Sequence, residues 1–333
     1  MHEYLSSPKL QADYAALTLG TGLVDLSQRT HVEITGKDRT SFLQGFCTND
    51  IKKLVAGRGC EAFLTSIKGK LLSHVSVFSG TDSLVLETVP GQAEAIIAHL
   101  DHYVIREDVQ LHDRSVTWSE RLLGGAQAEC LLRRICAGEL PTEILAHGRC
   151  QLADLNICVR RVEWTLAPCF LIQCLAADAQ RLDVVLNDAG ATRCGWQVWD
   201  IARVEAGWPE YGRDITSDNL PQEVGRDKRA ISFTKGCYLG QETVARLDAL
   251  GHVNRKLVGL QFSGEQIPAP GLELTVEQQA VGCVTSGVWS PRLGRPLALG
   301  YVRRQSQPAG TCLTSAIGPA EVVELPLSGA VGN

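Results

Sequence analysis

The sequence predicts an α+β protein that ends in a small β-barrel. Three strand-like runs, 61–66, 71–78 and 83–89, precede an amphipathic helix over 92–103. Strands followed by a packed helix mark an α+β unit. From residue 256 onward, five or six short strand-like runs alternate with Gly/Pro turns. That spacing belongs to a small barrel or sandwich. The length of 333 residues suits two or three domains, and a chain this long folds without covalent staples.

The elements follow in order. Residues 10–20 read as a short helix, and HVEIT (31–35) alternates as a strand. Gly36 ends that strand, and Asp38 is placed to cap the helix around TSFLQGF. The turn IKGK (67–70) folds the first two of the three strands into a hairpin, and SGTDS joins the next pair. Residues 115–150 are rich in Ala, Gly, Leu and Arg and poorly periodic. QLADLNICVRR and WTLAPCFLIQCL read as two strands, then 178–189 and 194–206 as helices. Residues 207–235 carry Gly, Pro, Asp and Asn with little periodicity. A loop that long in a compact domain is usually functional.

Composition narrows the function. Hydrophobic residues make up 44% and charged residues 21%, which excludes disorder and collagen-like repeats. The net charge of −5 argues against general nucleic-acid binding, which wants a basic footprint. The start, MHEYLSSPKLQADYAAL, has neither the basic and apolar regions of an export signal nor the arginines of a transit peptide. No stretch approaches the ~20 apolar residues of a membrane span. A cytoplasmic protein with reduced thiols is expected. None of the 12 cysteines forms a C-x2-C pair, so structural zinc is not indicated. Cys169 and Cys174 differ by an odd number and fall on opposite faces of a strand. His99 and His102 share a helix face, but no third ligand joins them. Four thiolates in a cluster-binding run are missing too. No stably bound metal is expected, and most cysteines read as small buried hydrophobes.

The stretch with chemistry is KGCYLGQETVAR (235–246). Gly236 and Gly240 bracket Cys237 and permit backbone geometries closed to other residues. Residues 225–256 hold seven Lys and Arg against three acids. Such a field favours a thiolate at Cys237 and attracts anions. An ordinary turn with a buried cysteine is the plain alternative.

The run Lys235-Gly236-Cys237-Tyr238-x-Gly240-Gln241-Glu242 resembles the signature of the YgfZ family of folate-binding proteins. These are relatives of the T protein of the glycine cleavage system, the tetrahydrofolate-dependent aminomethyltransferase, and include proteins that mature iron–sulfur enzymes. GLVDLS (22–27), ITGKDRTSFLQGFCTNDI (34–51) with Asn49 and Asp50, DIARVEAGWPEYGRDI (200–215), LPQE (220–223), GHVNRKLVGL (251–260) and GCVTSGVWSPRLGRPLALGYV (282–302) resemble further family segments in the family's order. The likeness spans about residues 15–325 and is weakest at 115–190.

The resemblance implies three domains around a central folate funnel. Residues 1–50 with 115–245 would form a discontinuous folate-binding domain, 51–114 a ferredoxin-like α+β domain, and 250–330 the barrel. It implies tetrahydrofolate or a derivative as cofactor. Glu205 matches the acid that reads the pterin, whose paired N–H donors suit a carboxylate. Arg226, Lys228 or Arg229 would meet the glutamate tail. The T protein carries an Asp-Asp pair where this chain has Ser73 and His74. A histidine at this position can act in acid–base chemistry, but His74 brings no negative charge to the folate amine.

Two functions follow as expectations. The first is a tetrahydrofolate-binding protein that assists iron–sulfur cluster synthesis or repair, and through it tRNA modification, with Cys237 as its reactive thiol. Its partners would be folate and iron–sulfur client or assembly proteins, with no membrane and no direct nucleic acid. The protein would be a monomer. The alternative is a folate-dependent one-carbon transferase or demethylase acting on an N-methyl or aminomethyl substrate. A third class, RNA binding through 225–256, is opposed by net charge and by the lack of interleaved aromatics.

Overall fold

The computed structural model describes residues 7–327. A seven-stranded sheet runs in the order Thr192–Cys194, Gly22–Asp25, Trp118–Gly124, Cys169–Leu175, Leu155–Val162, His147–Leu152, Cys136–Ala137. Only its first pair is parallel. A five-stranded antiparallel sheet has the order Arg58–Thr65, Leu71–Ser79, Ser83–Thr88, Thr30–Thr35, Gln110–Asp113. Six strands between Arg255 and Val323 close a barrel. No helix among the described residues is long and apolar enough to cross a membrane.

Alternation explains how the two open sheets meet. In the five-stranded sheet Val32, Ile34, Ala62, Leu64, Val75, Val77, Leu84 and Leu86 form one core with Phe42, Leu43, Ile96 and Leu100 from helices Arg39–Gln44 and Ala93–Asp101. The intervening residues therefore face the other way. They include His31, Glu61, His74 and Glu87, all buried. Opposite them the seven-stranded sheet offers Glu120, Arg160 and Gln173, also buried. The sheets thus meet across a polar seam. Arg160 donates to Glu120 (2.8 Å) and Gln173 (2.9 Å), and His31 lies 3.4 Å from Glu120.

The barrel docks on helix Trp196–Glu205. Val198, Trp199 and Ala202 share a core with Val288, Leu297 and Leu299 of the barrel. Arg203, fully buried, ties the junction. It donates to Asp214 (2.7 Å) and to Ser286 of the barrel (2.8 Å).

Several expectations change. Strand Thr30–Thr35, expected with residues 1–50, is hydrogen-bonded to Ser83–Thr88 and Gln110–Asp113 in the five-stranded sheet. Asp38 stands at the N-cap position of helix Arg39–Gln44, but its side chain accepts from the Asp108 N–H at 2.9 Å instead. The poorly periodic stretch 115–150 holds strand Trp118–Gly124 and helix Ala128–Ile135. QLADLNICVRR, expected as one strand, holds the end of strand His147–Leu152, a two-residue turn and most of strand Leu155–Val162. The long loop 207–235 contains two short helical turns, Pro221–Val224 and Asp227–Ala230. Cys169 and Cys174 do lie on opposite faces, in separate cores.

Candidate functional site

The loop that carries Cys237 is clamped on both sides. Before it, Lys235 turns inward and is buried. Its Nζ donates to the carbonyls of Gln44 (2.7 Å), Cys47 (2.6 Å) and Asn49 (2.8 Å). Burial pulls this ammonium below its ordinary pKa. The same Nζ lies 4.9 Å over the ring of Tyr238, itself buried. After the cysteine, Leu239 N–H donates to Gly45 O (2.9 Å), and Thr65 Oγ1 donates to Leu239 O (2.6 Å). Gly240 then adopts φ +82°, and a Cβ there would sit 2.4 Å from Ser66 O. Only glycine suits that position. Gly236 has open space around it and no such need. Helix Gln241–Leu250 starts here, and Glu242 in its first turn complements the helix dipole. Between the clamps Cys237 is exposed.

Exposure alone does not single out this thiol. Cys130, Cys283 and Cys312 are exposed as well, so the reading of cysteines as buried hydrophobes does not extend to these three. Nor is the local basic excess free to act on Cys237. Lys235 is spent on carbonyls. Arg226 pairs with Glu61, Arg229 with Glu163 and Arg255 with Glu223. Acids outside the segment neutralise these three arginines. No group of three or more His, Cys, Asp or Glu placed to hold a metal occurs among the described residues.

His74 belongs to a second cluster. Its Nε2 lies 2.8 Å from Glu61 Oε1. Glu61 also accepts both the Nε (2.8 Å) and the Nη2 (2.5 Å) of Arg226. The imidazole packs in tilted contact with the rings of Phe63 (5.0 Å) and Trp208 (5.1 Å). Trp208 in turn stacks on Trp164 at 5.2 Å. Arg226 caps Trp208 and Arg29 caps Trp164. Sequence reasoning missed Glu61, Arg29, Trp164 and Trp208. The one available signal was a glutamate in the middle of an apolar strand.

Burial alone would raise Glu61, but the Arg226 and His74 contacts outweigh it and bring the carboxyl down to about 2. The folded pKa lies below the ordinary value of 4.5. The contribution is therefore complete above about pH 5 and is lost as pH falls toward 2, a swing of order 3 kcal/mol. Urea midpoints between pH 6 and 2.5 should fall less steeply for Glu61→Gln than for the native chain. Parallel profiles would refute this.

Asn49 joins the two clusters. Its carbonyl accepts from Lys235, and its Nδ2 donates to Glu61 O (2.8 Å) and Arg229 O (2.7 Å). Lys235, Asn49, Arg226 and His74 are thus brought into one hydrogen-bonded set. Asp50 lies beside it, holding Gln44 (3.0 Å) and Lys53 (3.1 Å). Arg229 faces outward.

Glu205 is 1% exposed. Its Oε2 accepts from Tyr14 OH (2.8 Å), and its Oε1 accepts from Ser290 Oγ (2.5 Å) and Arg292 N–H (3.4 Å). Burial pushes its pKa up. Of about four acceptor positions on a carboxylate, three are taken. A two-pronged grip on a pterin would require release of Tyr14 or Ser290. In this geometry Glu205 binds helix to barrel.

Just beyond it lies a cavity of about 900 Å³. Ala206, Gly207, Leu257 and Leu299 supply apolar wall, and Arg226, Lys228 and Lys256 supply positive charge. The lining thus joins apolar surface to positive charge.

Residues 2–235 match the model of the GCVT N-terminal domain, and 255–328 match the glycine cleavage T-protein C-terminal barrel domain. An aminomethyltransferase of Rubrobacter xylanophilus is 28% identical over 323 residues, covering 95% of this chain and 86% of the relative. One from Halalkalibacterium halodurans is 28% identical over 311 residues, covering 91% and 84%. The solved glycine cleavage system aminomethyltransferase T of Bartonella henselae superposes with a TM-score of 0.87 at 22% identity, covering 95% of this chain and 89% of that one. That structure supports the fold. With both domain models matched across nearly the whole length, the chain belongs to the glycine cleavage T-protein family, related to the aminomethyltransferases.

Proposed function

We propose that this chain is a YgfZ-type member of the family: it binds tetrahydrofolate or a derivative and assists iron–sulfur cluster synthesis or repair in client enzymes. The observation that carries the reading is Cys237, exposed on a loop whose flanking residues are both immobilised. A thiol fixed in place yet open to solvent suits encounter with another protein. The clients' clusters are its cargo. Ser73 and His74 stand where an aminomethyltransferase carries its carboxylate pair, and His74 is held under Trp208. This counts against transfer of an aminomethyl group. The folate is assigned to the cavity beside Arg226 and Lys228 rather than to Glu205, with its ring against the apolar wall and its carboxylates toward the cations.

Two measurements test the reading. Calorimetric titration with tetrahydrofolate should show binding, weakened by Lys228→Glu; no heat with the native protein sinks the folate assignment. Complementation of a strain lacking its own family member should fail with Cys237→Ala, and full rescue sinks the thiol-centred role.

The second reading, one-carbon transfer or demethylation, rests on the His74–Glu61 pair at 2.8 Å. It predicts turnover of N-methyl amines in the presence of tetrahydrofolate, lost in His74→Gln.

A further inference from the structure

We infer that a cleft between the two open sheets binds a small monocarboxylate with a flat apolar body. A cavity of about 580 Å³ lies there, and no barrel residue lines it. It shares no wall residue with the cavity beside Arg226 and Lys228, so the site is separate from the folate reading.

Strand register builds the floor. Cys158 lies opposite Gln173 on one neighbouring strand and opposite Arg149 on the other. Directly opposed residues share a face of the sheet. Arg160, two positions beyond Cys158, joins that face. Two donors in this floor lack acceptors. Arg160 is 2% exposed and Gln173 8%. Arg160 donates from Nη1 to Glu120 (2.8 Å) and from Nη2 to Gln173 Oε1 (2.9 Å), and its Nε has no partner. The bond from Nη2 fixes which end of the Gln173 amide is oxygen. Its Nε2 is thereby left as a second donor, also without a partner. A buried donor without an acceptor is costly, and a ligand that accepts from both removes that cost. Arg149, exposed, joins no ion pair among the described residues.

The acceptors already in the walls do not answer these donors. Glu33 is taken by Arg114 (2.9 Å). Asp82 stands exposed at the tip of the hairpin between Leu71–Ser79 and Ser83–Thr88, where water screens it. His147 brings no charge. Its Nε2 lies 3.0 Å from Ser79 O, and burial pushes the imidazole down to about 4. Its Nδ1 faces the Cys158 thiol at 4.0 Å. The donors therefore select the ligand. A carboxylate offers one oxygen to each unpartnered nitrogen. A single negative charge suits one free arginine, because the charge of Arg160 is already shared with Glu120, whereas a phosphate brings nearly two. Phe78, Val85 and Trp118 supply apolar wall for the rest of the molecule. A few fixed polar groups in such a wall set a ligand's orientation.

Calorimetric titration of the full chain with naphthoate, a carboxylate on two fused rings, tests the site. Naphthoate is expected to bind about tenfold more tightly than naphthamide, the ratio of one charge-assisted hydrogen bond to one neutral bond. Gln173→Glu keeps the oxygen that Arg160 uses and replaces the free amide donor by a second oxygen. It should weaken naphthoate by about tenfold or more. Arg149→Gln, an exposed change that leaves the unfolding midpoint native, should weaken naphthoate about threefold and flatten its salt dependence. No heat with the native chain means that water alone serves these donors, and it overturns the inference. Native-like affinity in Gln173→Glu places the binding elsewhere and overturns it too, as does native affinity with native salt dependence in Arg149→Gln. Inorganic phosphate binding more tightly than naphthoate overturns the carboxylate class. Displacement of naphthoate by tetrahydrofolate overturns the separate site.

Discussion

Replacing Asp214 by alanine should destabilise the protein by about 3–5 kcal/mol, the cost of removing one partner of a buried ion pair. The carboxylate is 1% exposed and Arg203 is fully buried. Asp214 Oδ2 accepts from Arg203 (2.7 Å) and from Glu210 N–H (3.1 Å). Its Oδ1 accepts from Thr285 and Ser286, both at 2.6 Å. Loop, helix and barrel therefore meet on one side chain. Its loss removes one carboxylate from a buried guanidinium and leaves the Ser286 hydroxyl and the Glu210 N–H without their acceptor. Asp200 at 2.7 Å, Glu210 at 3.5 Å and the Trp208 carbonyl at 3.2 Å still serve Arg203 and set the lower end of the range. Urea unfolding would measure the effect. A loss under about 1 kcal/mol, the range of exposed pairs, would show that the network is not cooperative.

Lys235→Met should cost about 3 kcal/mol or more, because three buried carbonyls lose their donor at about 1–3 kcal/mol apiece, less what local relaxation recovers. Methionine fills similar volume, so little of the loss is packing. Cys237→Ala, two residues away, should change stability by no more than about 0.5 kcal/mol, as for an exposed side chain without partners. Both variants should fail to complement a strain lacking the family member, for different reasons. Lys235→Met loses the loop's position, and Cys237→Ala loses the thiol. A native-like urea midpoint for Lys235→Met would mean that the ammonium does not hold the loop. Strong destabilisation by Cys237→Ala would mean that the thiol is a packing group.

The barrel and the strand–helix unit are legible in sequence because their strands are short apolar-rich runs set off by turn residues, even where, as in Leu71–Ser79, nearly every residue is buried. The strand Trp118–Gly124 is not. It lies third in a seven-stranded sheet, and Ser119 through Gly124 are all buried. A strand covered on both faces shows no alternation. Strand Thr30–Thr35 was legible as a strand, but its sheet was not, since its partners lie some fifty and eighty residues away. The KGCY motif announced a special cysteine. It did not announce that Lys235 points away from it.

Glu61 and Glu205 mark where sequence reading ends. A glutamate inside EAFLTS reads as a solvent-facing residue, and one late in a helix reads as a free carboxylate. Both are buried and hydrogen-bonded to residues far away in the chain. Local sequence by itself determined the class of fold, the order of its elements and the segment around Cys237, because period, turn residues and motif are properties of neighbouring positions. Tertiary structure alone decided which charges are free. The basic excess of 225–256 is cancelled at Arg226, Arg229 and Arg255 by Glu61, Glu163 and Glu223, and survives at Lys228 and toward Arg303 and Arg304. A charge's effect depends on what lies within a few ångströms and on how much water remains, and chain order specifies neither.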